Sequence, residues 1–309
     1  MIEVTRILCP VDFSEGSGHA LEYAAAIARW YGASVTALHV FPTHPSMNAM
    51  SLLARGGAVP ISLSEADREE LTRHLTAFGE RHGRGTAVEA LLLEGPIVHR
   101  EITRQAAALD ADLIVMGSHG RTGFERLLLG SVTEKTLRTA GCPVMVIPPR
   151  APDAAHSEAP RFHRILCPVD FSDGSLAAVT YALSLAEEND AKLTLLHVIE
   201  MPIKLAGEPA VQERDLTHLR LAAEAASLRR LRELIPASAR TYCTIETAVE
   251  EGRPAREILS VAAARGNDLI VMGVEGRGAV DLLVFGSNTH HVVRSASCPV
   301  LTVPAARRS

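Results

Sequence analysis

The chain has no CxxC pair, and its five cysteines are an odd number in 309 residues. That argues against a disulfide framework and against a zinc site built on paired thiols; the pattern is one of reduced thiols. Positive charge is in deficit. Lys and Arg number 31 against 36 Asp and Glu, a formal net charge of -5, so a broad nucleic-acid-binding surface is not expected. No cationic, apolar leader opens the chain. Its first apolar stretch, Ile7 to Val11, is too short for a signal peptide or a membrane span. The expectation is a cytoplasmic protein with no membrane insertion. The G-x4-GK[ST] loop of P-loop NTPases is missing, and so is an SGGxDS-type pyrophosphatase loop. What is present is a globular composition, 47% hydrophobic and 22% charged, long enough for two domains with separate cores.

The chain repeats itself. RILCPVDFS occurs at Arg6–Ser14 and again at Arg164–Ser172, and ASVTALHV at Ala33–Val40 parallels AKLTLLHV at Ala191–Val198. DLIVMG occurs at Asp112–Gly117 and Asp268–Gly273, and CPV at Cys142–Val144 and Cys298–Val300. The first two blocks are offset by 158 positions and the last two by 156, in unchanged order, which marks a duplication. The Pro- and Ala-rich stretch Pro148–Phe162 lacks periodicity and reads as an exposed linker. Domains are therefore expected over 1–148 and 162–309, with a linker at 149–161.

Each half alternates strand and helix. In the first, Ile7–Asp12 suits a buried strand. Ser17–Tyr31 reads as a helix capped by Gly32. Val35–Val40 is strand-like, and Pro42–Leu63 is loop-like. Ser64 with Asp67 resembles a capping box before a helix that gathers Leu71, Leu75 and Phe78 on one face. Val88–Leu93 follows as a strand, Pro96 is suited to open a helix, and Leu113–Met116 is a fourth strand. Ser131–Thr139 is a short helix capped by Gly141, and Val144–Ile147 a fifth strand. This βαβαβαβαβ order predicts an α/β fold: two tandem doubly wound, five-stranded parallel sheets, strand order 3-2-1-4-5. Such sheets bind ligands at the carboxyl ends of the strands, where the order reverses. Asp12, placed at the end of strand 1, and Gly117, at the end of strand 4, would flank that crevice.

The chemistry-bearing motif is Gly117-Ser118-His119-Gly120, nine residues, then Gly130-Ser131. The second half repeats it as Gly273-Val274-Glu275-Gly276, nine residues, then Gly286-Ser287. Glycines let backbone approach phosphate closely and take positive φ, and successive N–H groups form anion nests. Ser131 and Ser287 sit where a helix begins, so its free N–H groups and dipole face the same anion. Thr133 and Thr289, one turn on, are candidate further donors, and Arg121 and Arg277 candidate phosphate partners.

Carried by PVDFS, LHV, G-x2-G-x9-G-S and CPV in both halves, the chain resembles the universal stress protein family in its tandem form. The resemblance implies a Rossmann-like domain of the adenine nucleotide alpha hydrolase type and ATP binding, with ADP or AMP as alternatives and Mg as companion ion. It implies that Asp12 and Asp170 lie by the ribose, that Val40 and Val198 line the adenine pocket, and that the Gly/Ser motif wraps the phosphates. Pro10, Val11 and Met116, with Pro168, Val169 and Met272, are counted in the same site, as are Val132 and Asn288. Two departures mark the second half, where Val274 and Glu275 replace Ser118 and His119. Glu275 brings negative charge toward the expected phosphates.

Plainer readings stand beside these. Asp12 and Asp170 suit helix N-caps. His39 and His197 read as packed strand histidines, and the adjacent His290-His291 as a surface pair without metal spacing. Cys9, Cys142, Cys167 and Cys298 read as packing residues, and Arg68–Glu70 as a solvated helix face. The function expected is an ATP-binding regulator of a stress response. The alternatives are a slow ATPase, and a scaffold or transporter-associated regulator in which nucleotide is only structural. The apolar fifth strands are sheet edges that need covering, so pairing of the two domains is expected and a homodimer of whole chains is left open.

Overall fold

The computed structural model describes residues 2–43, 63–120, 129–149, 151, 162–200, 213–274 and 286–304. It divides into two compact units, one of Glu3–Pro160 and one of Arg161–Ser309 together with Met1–Ile2. The first unit runs β1 (Arg6–Pro10), α1 (Glu15–Tyr31), β2 (Ser34–Pro42), α2 (Glu65–Gly83), β3 (Val88–Gly95), α3 (Val98–Ala108), β4 (Leu113–Gly117), α4 (Ser131–Thr139) and β5 (Val144–Ile147). The second runs β6 (Arg164–Pro168), α5 (Asp173–Asn189), β7 (Lys192–Ile199), α6 (Glu213–Glu233), β8 (Thr244–Glu251), α7 (Pro254–Arg265), β9 (Leu269–Gly273), α8 (Ser287–Ser295) and β10 (Val300–Val303). Strand order is β3-β2-β1-β4-β5 in the first unit and β8-β7-β6-β9-β10 in the second. The neighbouring strands within each unit pair in parallel, the doubly wound order that the alternation predicts.

Helices cover the sheet, and the central strands β4 and β9 are apolar and buried along their whole length. Leu8, Leu38 and Ile114 in the first unit, and Ile165, Leu166 and Leu193 in the second, are almost fully buried. Each such side chain contributes roughly 1.5–3 kcal/mol. Helix α1 buries small residues, including Ser17, Gly18, Ala20 and Ala24, and sits close against the sheet. It ends at Gly32, in the left-handed conformation at φ 69°. Helix α2 starts at Ser64, whose hydroxyl accepts from Asp67 N–H; its Leu75 and Phe78 are buried and Leu71 is half-buried.

Asp112 fastens β4 to β1. Its Oδ2 accepts from Thr5 N–H and Thr5 Oγ1, both at 2.8 Å, and from Arg6 N–H at 3.0 Å. Burial raises the carboxyl, but these three bonds and the Arg6 charge together hold it below its ordinary value of 3.8. Asp268 does the same for β9 and β6, taking His163 N–H on Oδ2 and Arg164 N–H on Oδ1. Here burial dominates, and the carboxyl is raised above 3.8.

Several expectations shift. Pro96 precedes the N-cap of α3, which is Ile97, so the proline stands just outside the helix; in the second unit Pro254 is the first helical residue. Helix α4 ends at Ala140 in extended conformation, and Gly141 does not take positive φ. Strand β1 stops at Pro10, two residues before Asp12. Arg68 is not a purely solvated residue of α2, since its guanidinium pairs with Glu94 of β3. Cys9, Cys167 and Cys298 are buried, whereas Cys142 is half-buried; burial pushes the Cys298 thiol up to about 12 and the Cys142 thiol to about 11. Most of the loop-like Pro42–Leu63 and of the linker lies outside the described residues.

Candidate functional site

At the carboxyl end of β1, Val11 N–H donates to Leu38 O at 2.8 Å and the sheet pairing stops. Backbone groups of a strand face alternate sides with period two. Leu38 turns its carbonyl toward β1, so Val40 turns its N–H and C=O the same way, beyond the point where β1 has ended. Val40 itself is buried. The second unit repeats this, with Val169 N–H donating to Leu196 O at 2.7 Å and the half-buried Val198 in the place of Val40. Pro10 and Pro168 close β1 and β6 opposite Leu38 and Leu196.

The aspartates are not N-caps. Ser14 caps α1 and Ser172 caps α5. Asp12 Oδ1 accepts from Ser14 N–H at 3.1 Å and Ser14 Oγ at 2.5 Å. Asp170 Oδ1 repeats both bonds with Ser172, at 3.0 and 2.5 Å. One carboxylate oxygen therefore braces the cap. The other lies across the crevice: a β-carbon added to Gly120 would stand 2.6 Å from Asp12 Oδ2. The ends of β1 and β4 thus meet through Asp12 and Gly120.

At the end of β4, Met116 and Gly117 are buried. Ser118 N–H donates to Ile147 O, and the chain returns with Gly130 N–H donating to Ser118 O at 2.8 Å. The second unit matches, with Val274 N–H bonded to Val303 O and Gly286 N–H to Val274 O, each at 3.0 Å. Helices α4 and α8 begin at Gly130 and Gly286 with no side-chain cap. Within an α-helix the first N–H groups have no intrahelical acceptor; here they belong to Ser131, Val132 and Thr133, and to Ser287, Asn288 and Thr289. The exposed Ser131 and Ser287 hydroxyls lie at the same ends. Near this end, burial and then the charges of Lys135 and Arg100 lower His99.

Three parts of the motif differ from expectation. None of its described glycines takes positive φ. Gly117 is demanded by packing, because a β-carbon there would lie 3.0 Å from Gly16 O on α1. At Gly273 it would lie 2.5 Å from Gly174 C. The buried Thr133 and Thr289 hydroxyls donate to Gly117 O and Gly273 O, each at 2.9 Å. They fasten helix to strand end. Arg121, Glu275, Gly276 and Arg277 lie outside the described residues.

Sequence reasoning missed Phe13 and Phe171. Both take left-handed backbone, at φ 63° and 64°, a conformation costing about 1–2 kcal/mol for a residue with a β-carbon. It also left His39 and His197 as plain packing. Each imidazole Nδ1 bonds a turn carbonyl, His39 to Val11 O at 2.8 Å and His197 to Val169 O at 2.7 Å. The identity of DFS and LHV in both halves was the available signal. In the first unit alone, Ser118 Oγ lies 2.8 Å from His119 Nδ1. Among the described residues, no group of three or more His, Cys, Asp or Glu could hold a metal, and no helix is long and apolar enough to cross a membrane.

The universal stress protein family matches the chain twice, over residues 3–148 and 161–304, and the chain belongs to that family. A universal stress protein of Mycolicibacterium smegmatis is 29% identical over 310 residues, 96% of each chain. One from Methanocaldococcus jannaschii is 36% identical over 143 residues, 46% of this chain and 81% of that protein. The crystal structure of a universal stress protein from Archaeoglobus fulgidus superimposes with a TM-score of 0.61 at 22% identity. It covers 98% of this chain and 97% of that one, a likeness of fold.

Proposed function

We propose that each half of this universal stress protein binds one adenine nucleotide, ATP in the first instance, and that occupancy regulates its part in a stress response. The observation that carries the reading is the meeting of Asp12 with Gly120 beside the uncapped start of α4. A ribose hydroxyl fits the carboxylate. Phosphates fit the Ser131, Val132 and Thr133 amides, whose helix dipole favours an anion. Adenine fits the edge of Val40, where one N–H and one C=O point the same way and match an acceptor and a donor on the base. Asp170, Val198 and the start of α8 supply the same set in the second half. The residues suit a nucleotide better than a dedicated metal cage, so Mg would be carried mainly by phosphate and water oxygens. The domain limits, 1–148 and 162–309 about a linker, and a cytoplasmic location belong to the same reading.

The test is calorimetry with ATP, together with the identity and stoichiometry of nucleotide retained on purification. Two nucleotides per chain are expected. One per chain points to the first site and to the charge of Glu275. Absence of both affinity and retained nucleotide overturns the reading.

A further inference from the structure

We propose that His39, and His197 in the second half, are positioning residues for the nucleotide site: each holds the turn after the first strand of its unit so that the next aspartate is aimed across the crevice. The inference rests on the nucleotide reading above and goes beyond it, because neither imidazole is assigned a ligand contact.

Val11 is pinned on both of its backbone groups by consecutive residues of β2. Its N–H goes to Leu38 O, and its carbonyl receives His39 Nδ1 at 2.8 Å. A carbonyl only accepts, so the imidazole proton sits on Nδ1. The same ring then packs on Phe13, with centroids 4.5 Å apart. Phe13 is held further by His74, stacked at 4.4 Å, and by the edge of Phe78 at 5.5 Å. This box keeps Phe13 in its left-handed conformation, and a strained residue persists only where its surroundings over-determine it. Asp12 lies between the two residues that His39 fixes, Val11 through its carbonyl and Phe13 through its ring. Its carboxylate has one oxygen on Ser14 and the other against Gly120.

The second half builds the same device with different material. His197 bonds Val169 O at 2.7 Å and packs on Phe171 at 4.9 Å. Arg230 lies over the same Phe171 ring, 3.7 Å from its centroid. The histidine and the left-handed phenylalanine are retained in both units while the third member changes. If the turn needed only flexibility, glycine at positions 13 and 171 would supply it without strain. A phenylalanine instead gives the histidine something to press on.

The test separates aim from folding. The variant H39F/H197F keeps two aromatic rings in place and deletes both hydrogen bonds to the turn. Binding of ATP and of inorganic tripolyphosphate is measured by calorimetry on the full chain, with a thermal melt alongside. Tripolyphosphate reaches the helix starts but has no ribose for Asp12. ATP affinity should fall about tenfold, and tripolyphosphate affinity should change less than twofold. Equal losses for both ligands, or no loss for either, overturn the positioning role while leaving the nucleotide reading intact. A wild-type chain that binds neither ligand overturns the nucleotide reading and the positioning role with it. Should H39F/H197F not fold, F13L/F171L keeps the hydrogen bonds and loosens the box. The same preferential loss for ATP is expected, and equal or absent losses again overturn the proposal.

Discussion

The two halves share a backbone plan and differ in how tightly it is drawn. At the end of the fourth strand, Gly117 leaves 3.0 Å for an added β-carbon beside a carbonyl oxygen, whereas Gly273 leaves 2.5 Å beside a carbonyl carbon. Under the turn, His74 stacks on Phe13 where Arg230 covers Phe171. At the opposite end of the strands, Asp112 is held below its ordinary pKa and Asp268 above it. Duplication preserved the elements that shape the crevice and let their supports diverge, so each half serves as a control for the other.

The glycines give the largest expected contrast. Both G117A and G273A overpack a backbone contact, which typically costs 1–3 kcal/mol and occasionally more. G273A should therefore lose about 3 kcal/mol and G117A about 1 kcal/mol in denaturant melts. Equal losses would mean that the two helix–strand contacts are equally yielding.

The aspartates should differ in the sign of their pH dependence. Asp112, with a depressed folded pKa, stabilises its unit above the ordinary value of 3.8. That contribution disappears as pH falls from there through the folded value. Asp268 is raised, so its unit is favoured with the acid protonated and loses stability as pH climbs from 3.8 through the folded value. Trp30 is the single tryptophan and lies in the first half, so its fluorescence reports that unit alone. Its transition should weaken on acidification, and D112N should flatten the trend. Amide exchange in β6 should show the opposite slope, and D268N should remove it. Parallel slopes would contradict the comparison.

The smallest effect belongs to the aromatic supports. Arg230 is exposed, so R230A should cost about half a kcal/mol through its cation–π contact. H74A should cost a similar amount through the loss of its stack on Phe13. Denaturant melts check both, and a markedly larger loss from either variant would break this ranking.

Much of this was readable from spacing. The duplication, the strand order, the Ser64 and Gly32 caps and the boundaries of β5 follow from repeats and local pattern. The adjacency of β1 and β4 was legible too, because it follows from the strand order. What escaped depends on approach over long sequence separations. Gly117 looked like a phosphate glycine, yet its need for space comes from Gly16, about a hundred residues away. Thr133 looked like a ligand donor, and its hydroxyl is taken by Gly117 O. Phe13 gave no sign of left-handed backbone, since that conformation is imposed by His39, His74 and Phe78 from β2 and α2.

The threonine tie bears on how such a site diversifies. Gly117 O holds Thr133, and Ser118 O holds Gly130 N–H, so the excursion between β4 and α4 is closed at its stem by two bonds. With the ends fixed, lengthening the intervening segment is cheap, about 0.6 kcal/mol for a doubling. A change of length there leaves the two bonds, and the strand end they fasten, in place.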